Sequence, residues 1–508
     1  MTARRAGGGL GRSRTAAVLL ALAAISCEGD LGADAGVDGV WMVRAGAAPG
    51  GDGHSWEAAF SELRDAQAVA ATGEEIWVAA GTYLPTADGG REVSFTSRDG
   101  VALYGGFLGH EGARHERDWI ANGTVLSGDI GVPGDDSDNS HRVIVLAHNT
   151  RLDGFHVTGG NADGSPPYDS GGGATNETGS TVIANCLFFG NRAVNGGAVH
   201  LRWGTPQIAN CVFAENRSLR GGAIHGQDSA FTVVNSRFDG NSAESAGGAI
   251  HAVDGDPVIV GCAFRGNSAA GGGAIHNEAA GPTVAGCAFE NNAAVGGGAI
   301  RNWNESHPRI SSSVFHENLA EGNGGAIDNN RSSPTVTDCV FSGNSAGGAG
   351  GVFHSWNDSH PVLSNCSLFG NSAAEGGATH GTQSGLTASN CIIWGNSSGD
   401  DLPIRDRYLA ETLIGYSCVQ GGFLGEGNLD GDPLFFDAGE PAGPDGIWRT
   451  ADDGLRPGPG SPCIDAANGD AAPEFDILTN PRWDDAETLD TGVGAPPFAD
   501  IGAYEYMP

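Results

Sequence analysis

Between residues 180 and 400 the apolar positions keep step with a unit of 25 to 27 residues. Each unit carries the same marker: Cys or Ser, any residue, a large apolar residue, two residues, then Asn. It occurs at Cys186–Asn191, Cys211–Asn216, Ser236–Asn241, Cys262–Asn267, Cys287–Asn292, Ser313–Asn318, Cys339–Asn344, Cys366–Asn371 and Cys391–Asn396. A Gly-Gly-Ala-like segment follows all but the last, from Gly196-Gly197-Ala198-Val199 to Gly376-Gly377-Ala378-Thr379. Self-similarity at a fixed period of this length marks a solenoid, in which each unit buries its apolar face against the next.

The pattern inside one unit gives its shape. In Pro334–Phe341, Val336 and Cys339 are an odd number of steps apart, so one straight strand cannot point both inward. A corner must fall between them, at Asp338. Its equivalents are Asn185, Asn210, Asn235, Gly261, Gly286, Ser312, Asn365 and Asn390, nearly all residue types that tolerate a left-handed backbone. Three short strands per coil are predicted: one before the corner, one carrying Cys339 and Phe341 inward, and one formed by Gly-Gly-Ala-Ile. Stacked in register they make an all-β parallel β-helix, and nine coils at roughly 4.8 Å each give a rod of about 43 Å. Phe188, Phe213, Phe238, Phe264, Phe289, Phe315 and Phe341 form an inward column, continued by Leu368 and Ile393. The Asn closing each marker suits a side-chain amide ladder.

Outside the repeats the signals change. Phe60, Leu63, Ala66 and Ala70 recur at helical spacing, with Ser55 placed to cap and Glu57 in the first turn, which predicts a helix over 56–71 covering the open end of the rod. Strand-like runs follow at 75–80, 142–146 and 152–157. Residues 41–160 are read as the N-terminal cap and first coils, 161–424 as the β-helix, and 425–508 as a segment capping the far end. Residues 1–26 read as an export signal: Arg4, Arg5, Arg12 and Arg14 precede an apolar stretch from Thr15 to Ile25, too short to span a bilayer. A linker, 27–40, joins it to the cap.

Composition sharpens this picture. The 85 Gly fit a backbone that turns sharply at regular intervals. The 26 basic residues are all Arg, and against 61 acids they leave a formal net charge of −35. Such a surface repels phosphate backbones, so nucleic acid is excluded as a partner. It favours divalent cations.

Three resemblances rest on these residues. Ala24-Ile25-Ser26-Cys27 resembles a bacterial lipobox, which implies an acylated Cys27 as lipid anchor, the chain's one tie to a membrane. The paired Gly-Gly-Ala-Ile and Phe-x-x-Asn signatures resemble the repeats of chlamydial polymorphic outer-membrane proteins, which belong to the pectate-lyase-like, right-handed β-helices. Gly431-Asp432-Pro433-Leu434-Phe435, Gly460–Asp465 and Asp500–Glu505 resemble the choice-of-anchor module that follows many bacterial surface β-helices. Together they imply export and display at the outer membrane or cell surface.

Candidate chemistry is sparse. Cys186, Cys211, Cys262, Cys287, Cys339, Cys366 and Cys391 form an inward column whose stacked side chains point the same way, which suits packing and not disulfides or zinc. His200, His225, His251, His276, His354 and His380 form a column after the Gly-Gly-Ala segments, with Arg301 and Asp328 in its two remaining places. Alternation points it outward, either as a solvated polar ladder or as imidazole pairs for a divalent metal. The strongest candidate is a loop repeated two coils apart: Arg301-Asn302-Trp303-Asn304-Glu305-Ser306-His307-Pro308 and His354-Ser355-Trp356-Asn357-Asp358-Ser359-His360-Pro361, with a shorter cousin at Leu201–Pro206. Indoles beside amides and acids suit sugars, by stacking and by hydrogen bonds to hydroxyls, unless each Trp folds over its own loop. Trp303, Asn304, Glu305, Trp356, Asn357 and Asp358 are the ligand-binding candidates. Acidic loops at Asp135, Asp136 and Asp138, at Asp254 and Asp256, and at Asp445, Asp452 and Asp453 are candidates for Ca2+, and no cofactor is required.

The expectation is a monomeric, non-catalytic adhesin or glycan-binding module, whose partner is a surface glycan or a ligand on a host or neighbouring cell. A polysaccharide lyase or glycoside hydrolase is the competing reading, with Asp328, Arg331, Arg301 and Glu305 as the first place to look. A passive structural surface protein is the third.

Overall fold

The computed structural model describes residues 39–508, with 87, 88, 178 and 409 set aside. The segment 1–26 read as an export signal, and Cys27, lie outside the described residues.

The repeat folds as a parallel β-helix with four strands per coil, one more than the pattern predicts. In one coil these are Thr335–Thr337, Val340–Ser342, Ser345–Ala349 and Phe353–Trp356. Each stacks in parallel on its counterparts, giving sheets that we number 1 to 4 in that order, of 14, 13, 10 and 12 strands among the described residues. The unpredicted strand, in sheet 3, follows the Asn of the marker. Sequences such as Ala293-Ala294-Val295-Gly296 and Ser345–Ala349 are small and half-exposed, so they carry no apolar alternation to announce a strand.

The corner between sheets 1 and 2 falls where predicted. All nine corner residues have φ between 46° and 63°, Ser312 included. The corner between sheets 3 and 4 explains the paired glycines. Gly272 has φ +63°, and a Cβ there would lie 2.1 Å from the Ile275 carbonyl oxygen; a Cβ on Gly273 would lie 2.2 Å from that of Gly298 in the next coil.

The core is a set of columns. Phe264, Phe289 and Phe315 pair in register, and their rings stack at 4.8 and 4.6 Å, within 6° of parallel. The Asn ladder runs beside them. Asn292 Nδ2 donates to Asn318 Oδ1 at 3.0 Å and to the Phe264 carbonyl at 3.0 Å, while its backbone N–H donates to Asn318 Oδ1 at 3.1 Å. One amide thus satisfies three buried groups per coil, and so discharges polar cost that an aliphatic residue would leave. The column cysteines are free and buried, and thiols such as Cys287 Sγ donate to a carbonyl two residues back.

The N-terminal helix is shorter than predicted, spanning Leu63–Val69 with Glu62 at its cap and no side-chain capping bond. Two competing contacts displace its first turns. Trp56 is drawn into a small separate cluster with Phe107, which stacks on Trp77 at 4.8 Å. Phe60 pairs through its backbone with Met42 and Arg44. Ser55 Oγ accepts only from the Ala58 N–H. What remains, Leu63, Ala66 and Ala70, still packs on the first core residues, Val43, Ile76 and Val78.

The C-terminal segment does more than the predicted end cap. Phe423 packs against the end of the core, but residues beyond 430 double back along the flank of sheet 2. Leu455, Ile477 and Tyr504 pack on Val314 and Val340, and Arg449 Nη1 donates to the Ser312 carbonyl. The corner amides anchor it: Asn365 donates to the Asp500 carbonyl and Asn390 to that of Asn468.

Candidate functional site

Trp303 and Trp356 end the strands Ile300–Trp303 and Phe353–Trp356 of sheet 4. They are two coils apart, and the residue in register between them is Asn330. Because Asn330 is short, the indoles close over it and meet edge to face, with ring centroids 5.7 Å apart at 66°. Arg301 lies over the Trp303 ring, its guanidinium carbon 4.4 Å from the centroid. The two loops have the same backbone: Asn304 and Glu305 at φ 54° and 65°, Asn357 and Asp358 at 56° and 65°. This left-handed pair turns all four polar side chains out to solvent.

The result is an open groove of about 980 Å³ that brings all six candidate residues together, with His307, Asn330, Arg331 and Gln383 completing its lining. Both indoles are half-buried, and Trp356 Nε1 has no hydrogen-bond acceptor. Trp203, the cousin, is 50 % exposed and stands far up the rod, with Gln227, Val253 and Glu278 between its strand and Trp303.

Part of the repeated loop has a structural reason that the sequence does not separate from the groove. Asn302 points inward and joins a second amide ladder with Asn277 and Asn329. Ser306 and Ser359 belong to a serine ladder, in which Ser306 N donates to Ser332 Oγ and Ser332 N to Ser359 Oγ. His307 Nδ1 accepts from the Ser333 N–H and His360 Nδ1 from that of Gly385. Trp303, Asn304, Glu305 and their counterparts are the residues whose repetition the solenoid does not demand.

The histidine column lies on the same outer face of sheet 4, with the His354 ring 6.4 Å from the Trp356 ring, and it is not a solvated ladder. Its side chains point away from the core as predicted, yet all six His are buried, 2 to 8 % exposed. The sharp glycine corner folds sheet 3 close against them, so that Gly271 O meets His276 Nδ1 at 3.3 Å. From His200 to His276 the ring centroids lie 5.1 to 5.3 Å apart, stacked in the first pair and edge to face in the next two. Burial pushes His200 down to about 4 and His276 to about 3, with neighbouring imidazole or Arg charges adding to it. The proposed acid–base group is split by this geometry. Asp328 is held between Arg301 (3.2 Å) and His354 (2.7 Å) in the buried row, whereas Glu305 and Arg331 line the open groove. At one level a carboxylate joins two imidazoles: the ligand atoms of His251, His276 and Glu278 all lie within 4.8 Å of one another, an N,N,O set that could hold a transition metal.

A pH prediction follows from His200. A free imidazole titrates near 6.5, so below that pH the unfolded chain takes up a proton that folded His200 refuses until about 4. Native stability therefore falls as the pH is lowered through this window. His200→Gln removes the penalty: its free energy of urea unfolding is expected to track wild type above pH 7 and to exceed it increasingly below 6, by on the order of 2 kcal/mol at pH 4, with the urea midpoint moving accordingly. Parallel midpoint curves would refute it.

At the loops read as calcium candidates, several acids already accept hydrogen bonds. Asp135 accepts from the Ser137 N–H, Asp138 from that of Val132, Asp256 from that of Gly281, Asp445 from that of Ile447, and Asp453 from the Tyr504 hydroxyl. The acids that do converge, Asp465, Asp484 and Asp490, escaped the sequence reading.

Residues 244–357 match the family model of the right-handed β-helix region. The chain is a right-handed parallel β-solenoid of about 13 turns. Among solved structures it is similar to the pectate lyase Pel9A (13 % identity, 92 % of this chain and 96 % of that one, TM-score 0.40). It is also similar to XylC in complex with xylose (10 %, 92 % and 98 %, 0.41) and to PfbA, a surface adhesin of Streptococcus pneumoniae (11 %, 74 % and 86 %, 0.34). These likenesses are of fold alone and carry no argument about function. The comparison with curated proteins found no match.

Proposed function

We propose that this chain is a non-catalytic glycan-binding protein, displayed at the cell surface by an acylated Cys27, and that sugar rings seat in the Trp303–Trp356 groove. The observation that carries it is the indole pair: two half-buried rings, two coils apart, meeting edge to face in an open trough rimmed by Asn304, Glu305, Asn357 and Asp358. Apolar ring faces beside amides and carboxylates match the alternating apolar and hydroxylated faces of a pyranose. The trough is open to solvent along the rod, which suits a chain of sugars more than a single one.

A glycan array probed with the mature chain in calcium-containing buffer, scored for retention and for released product, tests this. Retention is expected without product, and Trp303→Ala/Trp356→Ala should weaken it at least about tenfold, given that aromatic contacts are each worth about 1 kcal/mol beyond burial. Release of unsaturated or reducing-end sugars would replace this reading with a lyase or hydrolase. Retention unchanged in the double variant would remove the groove as its seat.

A further inference from the structure

The C-terminal flank contains a carboxylate that has no counterpart. Asp465 is fully buried, at 0 % exposure, and neither of its carboxylate oxygens has a hydrogen-bond partner. A buried charge is tolerated only when paired, strongly hydrogen-bonded or bound to a metal. Around Asp465 the charges are of its own sign. Oxygens of Asp465, Asp484 and Asp490 all lie within 4.8 Å of one another. Arg482, two residues before Asp484, cannot serve, since its side chain is committed to Glu505 and Asp338.

Asp465 is also a junction of the flank. Its backbone N–H donates to Asp500 Oδ1 at 2.8 Å, and its carbonyl accepts from the N–H groups of Thr491 and Gly492, both at 2.9 Å. The loop that carries Asp484 and Asp490 is thereby brought back over the buried carboxylate. Asp465 forms the floor, and Asp484 and Asp490, both exposed, form the rim.

We propose that Asp465, Asp484 and Asp490 bind a calcium ion that closes the 484–490 loop onto the flank. The donor set decides the ion. Three carboxylates with no nitrogen or sulfur select a hard cation, and calcium accepts the irregular, partly hydrated shell that a buried floor and an exposed rim provide. The site lies on the C-terminal flank, whereas the glycan groove is on sheet 4, so the two stand or fall separately.

The full mature chain, stripped with EDTA and dialysed, is titrated with Tb3+ under tryptophan excitation, since Trp483 adjoins Asp484. One Tb3+ site displaced by Ca2+ is expected, and saturating Ca2+ should raise Tm by about 3 °C or more. Asp484→Asn/Asp490→Asn, both exposed and safe for folding, should lose the luminescence and the Tm response together. Asp465→Asn should do the same but with the opposite effect on the metal-free chain, whose Tm rises because an uncompensated buried charge has gone. Wild-type chain that takes up neither ion at millimolar concentration would overturn the proposal. So would an Asp484→Asn/Asp490→Asn variant that binds as wild type does.

Discussion

Arg482→Ala is expected to free the C-terminal flank from the rod while the coils stay folded. The Arg482 side chain is 4 % exposed and meets Glu505 Oε2 at 2.7 Å and Asp338 Oδ1 at 3.5 Å, and it donates to the carbonyls of Pro473 and Phe475. Burial already raises the pKa of both acids, against the pull of the guanidinium. Removing the cation leaves two buried carboxylates without their counter-charge, Glu505 keeping only the backbone N–H groups of Trp483 and Asp500, a loss of about 3–5 kcal/mol. Because Glu505 and Arg482 belong to the flank and Asp338 to a coil corner, the loss falls on the flank's own packing and on its docking against the rod, and not on the coils. Limited proteolysis reads it directly: cleavage should concentrate beyond residue 430 and leave a resistant core containing the repeats. The expected effect is smaller at acid pH, where protonated Glu505 and Asp338 no longer need the cation. A variant as resistant as wild type at pH 7 would show that apolar contacts such as Tyr504 on Val314 and Val340 hold the flank unaided.

Phe289→Ala is expected to split the rod's cooperativity. Its ring is fully buried between Phe264 and Phe315, so truncation removes two stacked contacts and leaves a cavity. Phe-to-Ala changes in a core cost about 3–5 kcal/mol. In a solenoid each unit touches only its neighbours, so this loss falls on two interfaces in mid-rod instead of being shared across a globular core. Urea unfolding should pass from one transition to two, and amide exchange should quicken first in the coils around residues 262–318. The same change at Phe188, near the start of the column, should lower the midpoint but leave a single transition. One undivided transition for Phe289→Ala would mean that the Asn ladder alone couples the two halves.

The contrast between those ladders and the flank is also the contrast between what could and could not be read from the chain. Each coil repeats its own local instruction. The Cys-x-Phe-x-x-Asn marker, the corner at residues such as Asn210 and Asp338, and the Gly-Gly pair are short-range signals whose geometry is dictated by backbone sterics and by stacking on an identical neighbour. The sequence alone therefore determined the parallel β-helix, its period, the Phe and Asn columns and the corners, down to Ser312, which takes a left-handed φ of 46° because its neighbours in the column impose it. It also placed Trp303 and Trp356 on equivalent turns.

Tertiary structure decided the rest. Sheet 3 has no apolar signature because its strands are held by the strands above and below and not by burial of large side chains. The histidines are buried because the glycine corner folds that sheet against them, a consequence of the angle between sheets that alternation along one strand cannot express. The indoles touch across two coils only because the residue between them, Asn330, is small enough for the rings to close over it. Asp465, Asp484 and Asp490 converge although up to 25 positions separate them, with no fixed spacing to betray it. Like the path of the flank along sheet 2, that convergence comes from long-range packing, where the partners of a residue are chosen by the shape of the folded rod and not by its neighbours in the chain.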